Sequence, residues 1–215
     1  MKISESKELA YWVGVAQSDG HLSTYGNNRR VMIGVREKSL PMLKKFQMLS
    51  GILLDKYAKI YKDKGGNYVF AIGVKKIMSS IRSLNITFGD PPKPPTWALT
   101  KNQYFGAYLA GLIDGDGDVR VKRKKYPQCV IRINSGKKQE KLKNCIEKII
   151  KCSASTKQRY KEKILDGRKI CGSFYELEFY VSSKNYKFVK NFITPNLQLI
   201  YKKEKIMNFI LGRLS

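Results

Sequence analysis

Two stretches of the chain share one plan, and that plan narrows the folds open to it. Tyr108 to Gly117 begins as an apolar helix (Leu109, Ala110, Leu112, Ile113) and ends in two carboxylates, Asp114 and Asp116, set among Gly111, Gly115 and Gly117. Near the start, Ser6 is a suitable N-cap, and Leu9, Trp12, Val13 and Ala16 recur at helical spacing until the chain reaches Asp19-Gly20. Gly14 then corresponds to Gly111, Asp19 to Asp116 and Gly20 to Gly117, with the two acids 97 residues apart in a chain of 215. This is the mark of an internal repeat. Acids at the carbonyl end of a helix are disfavoured unless a cation sits beside them, so a glycine-flanked carboxylate there suits a hard cation such as Mg²⁺.

The flanking segments repeat as well. In the first half the pattern predicts a helix to Asp19-Gly20, strands over 21–24 and 30–36 about a turn at 25–28, and a helix over 40–51. Strands over 55–62 and 67–74, joined by Lys64-Gly65-Gly66, and a helix over 75–84 complete it. In the second half a strand over 118–124 and another over 128–134 follow Gly117, then a helix over 137–151. A long hairpin (153–164 with 173–182) and helices over 184–192 and 198–211 end the chain. Each half thus reads helix–strand–strand–helix–strand–strand–helix, an α+β class with two antiparallel sheets related by an approximate twofold axis. Between the halves lie four prolines in five residues, Pro91, Pro92, Pro94 and Pro95, which predict a stiff extended linker. The expected organisation is a first repeat at 1–88, a linker at 89–100 and a second repeat at 101–215.

Charge points to the partner. Lys and Arg number 42 against 17 Asp and Glu, a formal net charge of +25, and such self-repulsion is tolerated best when a polyanion is the usual companion. Val31, Ile33 and Val35 alternate with Arg30, Met32 and Arg36, while Cys129, Ile131 and Ile133 alternate with Gln128, Arg132 and Asn134. The strand after Asp116 adds Arg120, Lys122 and Lys124. Each sheet would bury its apolar face and turn a basic face outward, and Arg, Lys, Gln and Asn are the side chains that read base edges in a groove wide enough for a β-ribbon. Two such sheets would form a basic saddle on duplex DNA. Each residue taken singly is also what a solvated strand face carries.

Asp-Gly alone is a common turn, and either acid by itself would be read so. Two acids, each closing an apolar helix and opening a basic sheet, are harder to explain that way. If the helices pack through Gly14 and Gly111, Asp19 and Asp116 emerge together, where like charges raise each other's pKa unless divalent cations neutralise them. Metals bridging carboxylates and a phosphate activate water in many nucleases. A calcium loop is excluded, because the glycine required after Asp114, Asp116 and Asp118 is Val119 and the closing glutamate is Lys125. Any Ser/His/Asp set would have to use the single histidine, His21, which reads instead as a strand or DNA-facing residue, and Cys129, Cys145, Cys152 and Cys171 lack zinc spacing. The charged N-terminus is unlike a signal peptide, and no apolar run approaches a membrane span. An intracellular chain (cytoplasm, organelle or nucleoid), not secreted and with reduced thiols, is expected.

Leu109 to Gly117 matches, at eight of nine positions, the motif of the LAGLIDADG homing endonucleases, with Gly115 in place of alanine. The chain resembles the single-chain, two-repeat members, and its short length without a splicing domain favours an intron-encoded enzyme. The first copy keeps only Gly14, Asp19 and Gly20. The resemblance implies a monomer that cuts both strands of a long pseudo-palindromic DNA site with Mg²⁺, leaving short 3′ overhangs; Mn²⁺ or Ca²⁺ would substitute for binding. It maps Asp19 and Asp116 onto the family's metal-binding acids and the carbonyls of Ser18 and Gly115 onto its backbone ligands. A basic or amide residue after the second strand falls on Glu37 or Lys38 in the first half and on Lys137 or Lys138 in the second. Gln17 replaces the first acid of the motif, which Asp114 keeps. Two other readings use the same scaffold: an RNA maturase that binds its own intron, and a DNA-binding protein that does not cut.

Overall fold

The structure is a computed structural model that describes residues 3–25, 28–123, 125–165 and 168–214. Helix α1 (Lys7–Ser18) starts where predicted, its first turn capped by the Ser6 hydroxyl, which accepts the Leu9 amide at 3.1 Å. Strands β1 (His21–Tyr25) and β2 (Asn28–Val35), helix α2 (Leu40–Leu54), strands β3 (Tyr61–Lys62) and β4 (Tyr68–Gly73) and the short α3 (Met78–Ser83) complete the first half. Helix α4 (Asn102–Asp114) opens the second half. Strands β5 (Gly117–Lys122) and β6 (Gln128–Ser135), helix α5 (Glu140–Ile150) and strands β7 (Ala154–Leu165) and β8 (Arg168–Val181) follow. A single turn α6 (Tyr186–Phe188), widening into a π turn at Val189–Ile193, and α7 (Ile200–Leu214) close the chain.

The two sheets have one topology. Strand order is β1-β2-β4-β3 in the first and β5-β6-β8-β7 in the second, antiparallel throughout. Inward alternation on the central strands drives this: Val31, Ile33, Phe70 and Ile72 in one sheet, and Ile131, Ile133, Leu177 and Phe179 in the other, are buried. Helices cover those faces. Phe46 of α2 meets Phe70 edge-on with centroids 5.9 Å apart and stacks on Trp12 at 5.2 Å, and Leu142, Ile146 and Ile150 form the one apolar stripe of α5. One hydrophobic cluster runs through both halves by way of α1 and α4. No described helix is long and apolar enough to cross a membrane.

Two expectations change in detail. The predicted strand 55–62 shrinks to Tyr61–Lys62, because Asp55 takes a left-handed conformation (φ 47°) to end α2 and the chain runs as irregular structure to residue 60. The second-half hairpin is longer than its sequence suggests, since 165–172, read as a loop, is strand to Leu165 and again from Arg168. The proline segment, read as a stiff extended linker, packs against the body of the protein. Pro92, Pro94, Pro95 and Trp97 are buried, and the Gln17 side chain fastens it by donating to the carbonyls of Thr87 (2.7 Å) and Lys93 (3.0 Å) while accepting the Lys93 amide (3.1 Å).

Candidate functional site

The site is built where α1 and α4 touch. A Cβ placed on Gly14 would stand 2.2 Å from the carbonyl oxygen of Tyr108, and one on Gly111 would stand 2.4 Å from that of Tyr11. Only glycine admits so close a backbone approach, and the contact is reciprocal, as a twofold relation requires. Around it lie two matching cross-links. The Tyr11 hydroxyl donates to Asp114 at 2.8 Å, and the Tyr108 hydroxyl donates to Gln17 at 2.7 Å. Asp114 and Gln17, the same position in the two copies, each hold a following segment: Asp114 accepts the amides of Gln198 (2.8 Å) and Leu199 (3.1 Å) ahead of α7, whereas Gln17 holds the proline segment. The position is thus a structural anchor in both halves.

One turn further on, the pairing reaches Ser18 and Gly115. A Cβ on Gly115 would fall 2.0 Å from Ser18 Oγ and 3.1 Å from the carboxylate of Asp19. Asp19 therefore lies against the residue preceding Asp116, and the two acids meet at the helix ends. Burial pushes the Asp19 carboxyl up to about 6, with the nearby Lys202 ammonium opposing and Asp114 adding to the rise. Burial also pushes Asp116 up to about 7, aided by the charges of Asp19 and Asp90 and opposed by Lys202. The Asp116 carbonyl is pinned by Asn134, which donates through its amide nitrogen (3.3 Å) and side-chain Nδ2 (3.0 Å).

Lys202 and Asp90 were not singled out by the sequence. Lys202 is 3 % exposed and its Nζ donates to the last carbonyls of α4, Ile113 at 2.5 Å and Asp114 at 3.0 Å. It supplies the cation that an acid-rich helix C-terminus needs. Burial lowers its pKa to about 8, and the surrounding aspartates Asp114, Asp19, Asp118 and Asp116 resist that fall. Nothing in its local pattern sets it apart from Lys203 or Lys205. Asp90 comes from the proline segment and accepts a hydrogen bond from the Ser135 hydroxyl. It shares one cleft with Ser18, Asp116, Asn134 and Gly136.

The donor set of Asp19 and Asp116, with the Ser18 and Gly115 carbonyls at the helix ends, is all oxygen. Among the described residues no three His, Cys, Asp or Glu side chains converge into a closed metal cage. Two neighbouring carboxylates held reluctant to ionise would suit a hard divalent ion that keeps water and takes further ligands from a phosphate.

The predicted surface residues separate into groups. Arg30, Arg36 and Arg120 are exposed, Arg120 beside Asp118, while Lys122 and Gln128 face each other half-buried at the outer end of the second sheet. Lys124 lies outside the described residues. Arg132 is not open to solvent: it is 7 % exposed, with its guanidinium 3.1 Å from Glu176 and 3.8 Å from Glu178. Those acids also hold Arg159 (3.0 Å) and Lys157 (2.5 Å). Strand alternation put Arg132 on the concave face, but its two acidic partners sit far along the chain, so the lock was invisible. Asn134 is tied to Asp116 as described. Lys38 and Lys137 are exposed near the inner strand ends, and among the described residues no hydrogen bond or ion pair joins either to Asp19 or Asp116. In the first half Arg29, Arg30, Lys56 and Lys75 line one groove.

No protein-family model matches the sequence, and no curated protein sequence matches it either. Solved structures do. The homing endonuclease I-DmoI, in complex with its nicked target DNA in the presence of manganese, superposes with a TM-score of 0.56 at 18 % identity, over 89 % of this chain and 97 % of that one. The homing endonuclease I-WcaI bound to its DNA recognition sequence gives 0.53 at 14 % identity, over 94 % and 88 %. The N-terminal LAGLIDADG domain of DUF199/WhiA gives 0.51 at 12 % identity, over 88 % and 84 %. The chain has the two-repeat LAGLIDADG fold.

Proposed function

We infer that this chain, folded as the LAGLIDADG homing endonucleases are, is a site-specific double-strand DNA endonuclease acting as a monomer. The observation that carries the reading is the meeting of Asp19 and Asp116 across the Ser18/Gly115 contact, at the floor between two sheets in a chain of net charge +25. The sheets would straddle a duplex, one half to each half-site, with the basic strand residues supplying backbone and groove contacts. Asp19 and Asp116, with the Ser18 and Gly115 carbonyls, would hold divalent ions, Mg²⁺ by preference. Such ions supply Lewis-acid stabilisation of the phosphate and a water of lowered pKa. The chain's own part is to fix the two acids side by side through Gly14 and Gly111, to keep Lys202 as counter-charge behind them, and to aim each acid at one strand. Two cuts on opposite strands near the dyad would leave short 3′ overhangs. The maturase and non-cutting readings give the paired, raised-pKa acids no task.

The test is cleavage of a plasmid library carrying randomised or candidate intron-flank sites with Mg²⁺. One linear product is expected; Asp19→Asn and Asp116→Asn should each lower cutting by at least about 10³-fold while binding in Ca²⁺ persists. Full activity in either variant sinks the assignment. Affinity should fall by roughly 10³-fold or more between low and moderate salt through counterion release. Binding that ignores salt contradicts the saddle.

A further inference from the structure

The halves differ most in the hairpin nearest the acids. In the first half Tyr68 pairs with Val35, at the inner end of β2, and with Lys62. The chain then turns back at once through residues 63–67, where Asp63 accepts the Asn67 amide at 2.8 Å. In the second half Tyr175 takes the place of Tyr68, opposite Ser135 at the inner end of β6. There the hairpin continues: β7 and β8 stay paired for seven more residue pairs, from Arg159 with Phe174 to Leu165 with Arg168, beyond the last pairing to β6. At about 3.3 Å per residue this is an arm of roughly 20 Å that starts beside the acids and runs past them.

A two-stranded ribbon in water is marginal without something to lie on. Among its described side chains this one carries Arg159 and Lys161 against Glu162. By strand alternation Lys157, Arg159 and Lys161 share the concave face. Glu178 and Glu176 hold the first two, whereas Lys161 enters no ion pair with a described residue. Lys161 and Phe174 instead wall a cleft whose other sides are Asp116, Asn134, Ser135 and Gly136. The first half turns back at residue 63, so no matching arm extends there.

We propose that the β7–β8 arm lies across the middle of a bound duplex and that Lys161 holds the backbone phosphate beside Asp116, so that the two strands are gripped, and cut, unequally. The proposal rests on the nuclease reading for its rate prediction but not for its binding prediction. Lys161 acts here as a positioning residue on one strand, its ammonium making a charge-assisted contact to a phosphate oxygen.

The experiment uses the full chain, Lys161→Gln, and a chain whose residues 160–173 are replaced by the short turn of residues 63–67. The probe is a duplex recovered by repeated selection from a randomised library in Ca²⁺. Hydroxyl-radical footprints in Ca²⁺ should show the shortened chain losing protection over the central base pairs while both flanks stay covered. In Mg²⁺, with each strand labelled separately, Lys161→Gln should slow one strand by about ten- to a hundred-fold, the effect of one lost charge-assisted contact, and leave the other within about twofold. Nicked duplex then accumulates. An unchanged footprint, or equal slowing of both strands, overturns the proposal. An arm-dependent footprint with no cut by the unmodified chain would instead overturn the nuclease reading and leave the arm standing. If the shortened chain does not fold, Lys161→Gln and Lys161→Glu decide the matter in the same two assays.

Discussion

The two sheets superimpose in topology and contradict each other in chemistry. Registered on their central strands, Val31, Ile33, Phe70 and Ile72 correspond to Ile131, Ile133, Leu177 and Phe179, all buried and all apolar. On the opposite face the same registration sets Met32 against Arg132, Val69 against Glu176, Ala71 against Glu178 and Gly34 against Asn134. One half lines the inner part of its concave face with apolar groups; the other lines it with a locked lattice of ions. The convex face is constrained by packing, which tolerates only apolar groups of similar volume. The concave face answers to whatever lies on it, and the difference between halves is what an asymmetric ligand demands of a duplicated fold.

The sharpest challenge to that symmetry is at the point both halves share. Gly14→Ala and Gly111→Ala each drive a methyl into a backbone carbonyl that cannot swing aside. Each should cost about 3 kcal/mol or more, read as a loss of cooperative urea unfolding or of soluble protein. A large cost for one and a small cost for the other would mean that the helices are not equivalent at their crossing.

Next in size is the ion lattice. Arg132→Met leaves Glu176 and Glu178, both nearly buried, without their central cation and should cost about 3 kcal/mol. Adding Glu176→Val and Glu178→Ala copies the residues of the first half and should recover all but about 1 kcal/mol, because a buried ion cluster replaced whole by apolar groups is often neutral. Urea midpoints of the single and triple variants decide it. A triple variant no better than the single one would show that the lattice, not the apolar core beneath, holds the second sheet together.

A smaller effect joins the halves at the acids. The pKa values of Asp19 and Asp116 are raised in the folded chain to about 6 and about 7. The fold therefore binds protons that the unfolded chain releases, and stability present below about pH 4 drains away as pH climbs toward 7. Lys202, lowered to about 8, acts oppositely: its contribution is present above the ordinary lysine pKa and is lost as pH falls through 8. Without metal or DNA, stability should reach a minimum near pH 7 to 8. The dip is on the order of 1 kcal/mol once the solvent exposure of Asp116 is discounted. Asp116→Asn should flatten the acid side of the dip in thermal melts; a profile that rises steadily from pH 5 to 8 would show that these carboxyls ionise freely.

What the sequence disclosed, and what it hid, divides along the same line. The paired helices, the strand order of elements and the convex core were legible because period, caps and the Asp-Gly endings are local, and two copies check each other. The Arg132 lattice, Lys202 and Asp90 were not, because each owes its role to a partner more than 40 residues away. The short β3 and the long β7–β8 arm went unread for a related reason: where a strand stops depends on what its neighbour still offers to pair with, and an exposed ribbon carries little apolar alternation to announce itself.

The least perturbing substitutions compare the two cross-links. Tyr108→Phe removes one donor from Gln17, whose oxygen still accepts the Lys93 amide, so the cost should be about 1 kcal/mol, the worth of a neutral hydrogen bond. Tyr11→Phe removes one of three donors from Asp114, and it leaves the ring in place beneath Lys45 Nζ, 4.3 Å from the centroid. A hydrogen bond to a carboxylate is worth more, about 1.5 to 3 kcal/mol, so Tyr11→Phe should be the costlier change by about 0.5 to 2 kcal/mol in urea melts at neutral pH. Equal costs would mean that Asp114 carries no more charge than the amide of Gln17 does, and that the two copies of the motif helix have stayed alike where their sequences have parted.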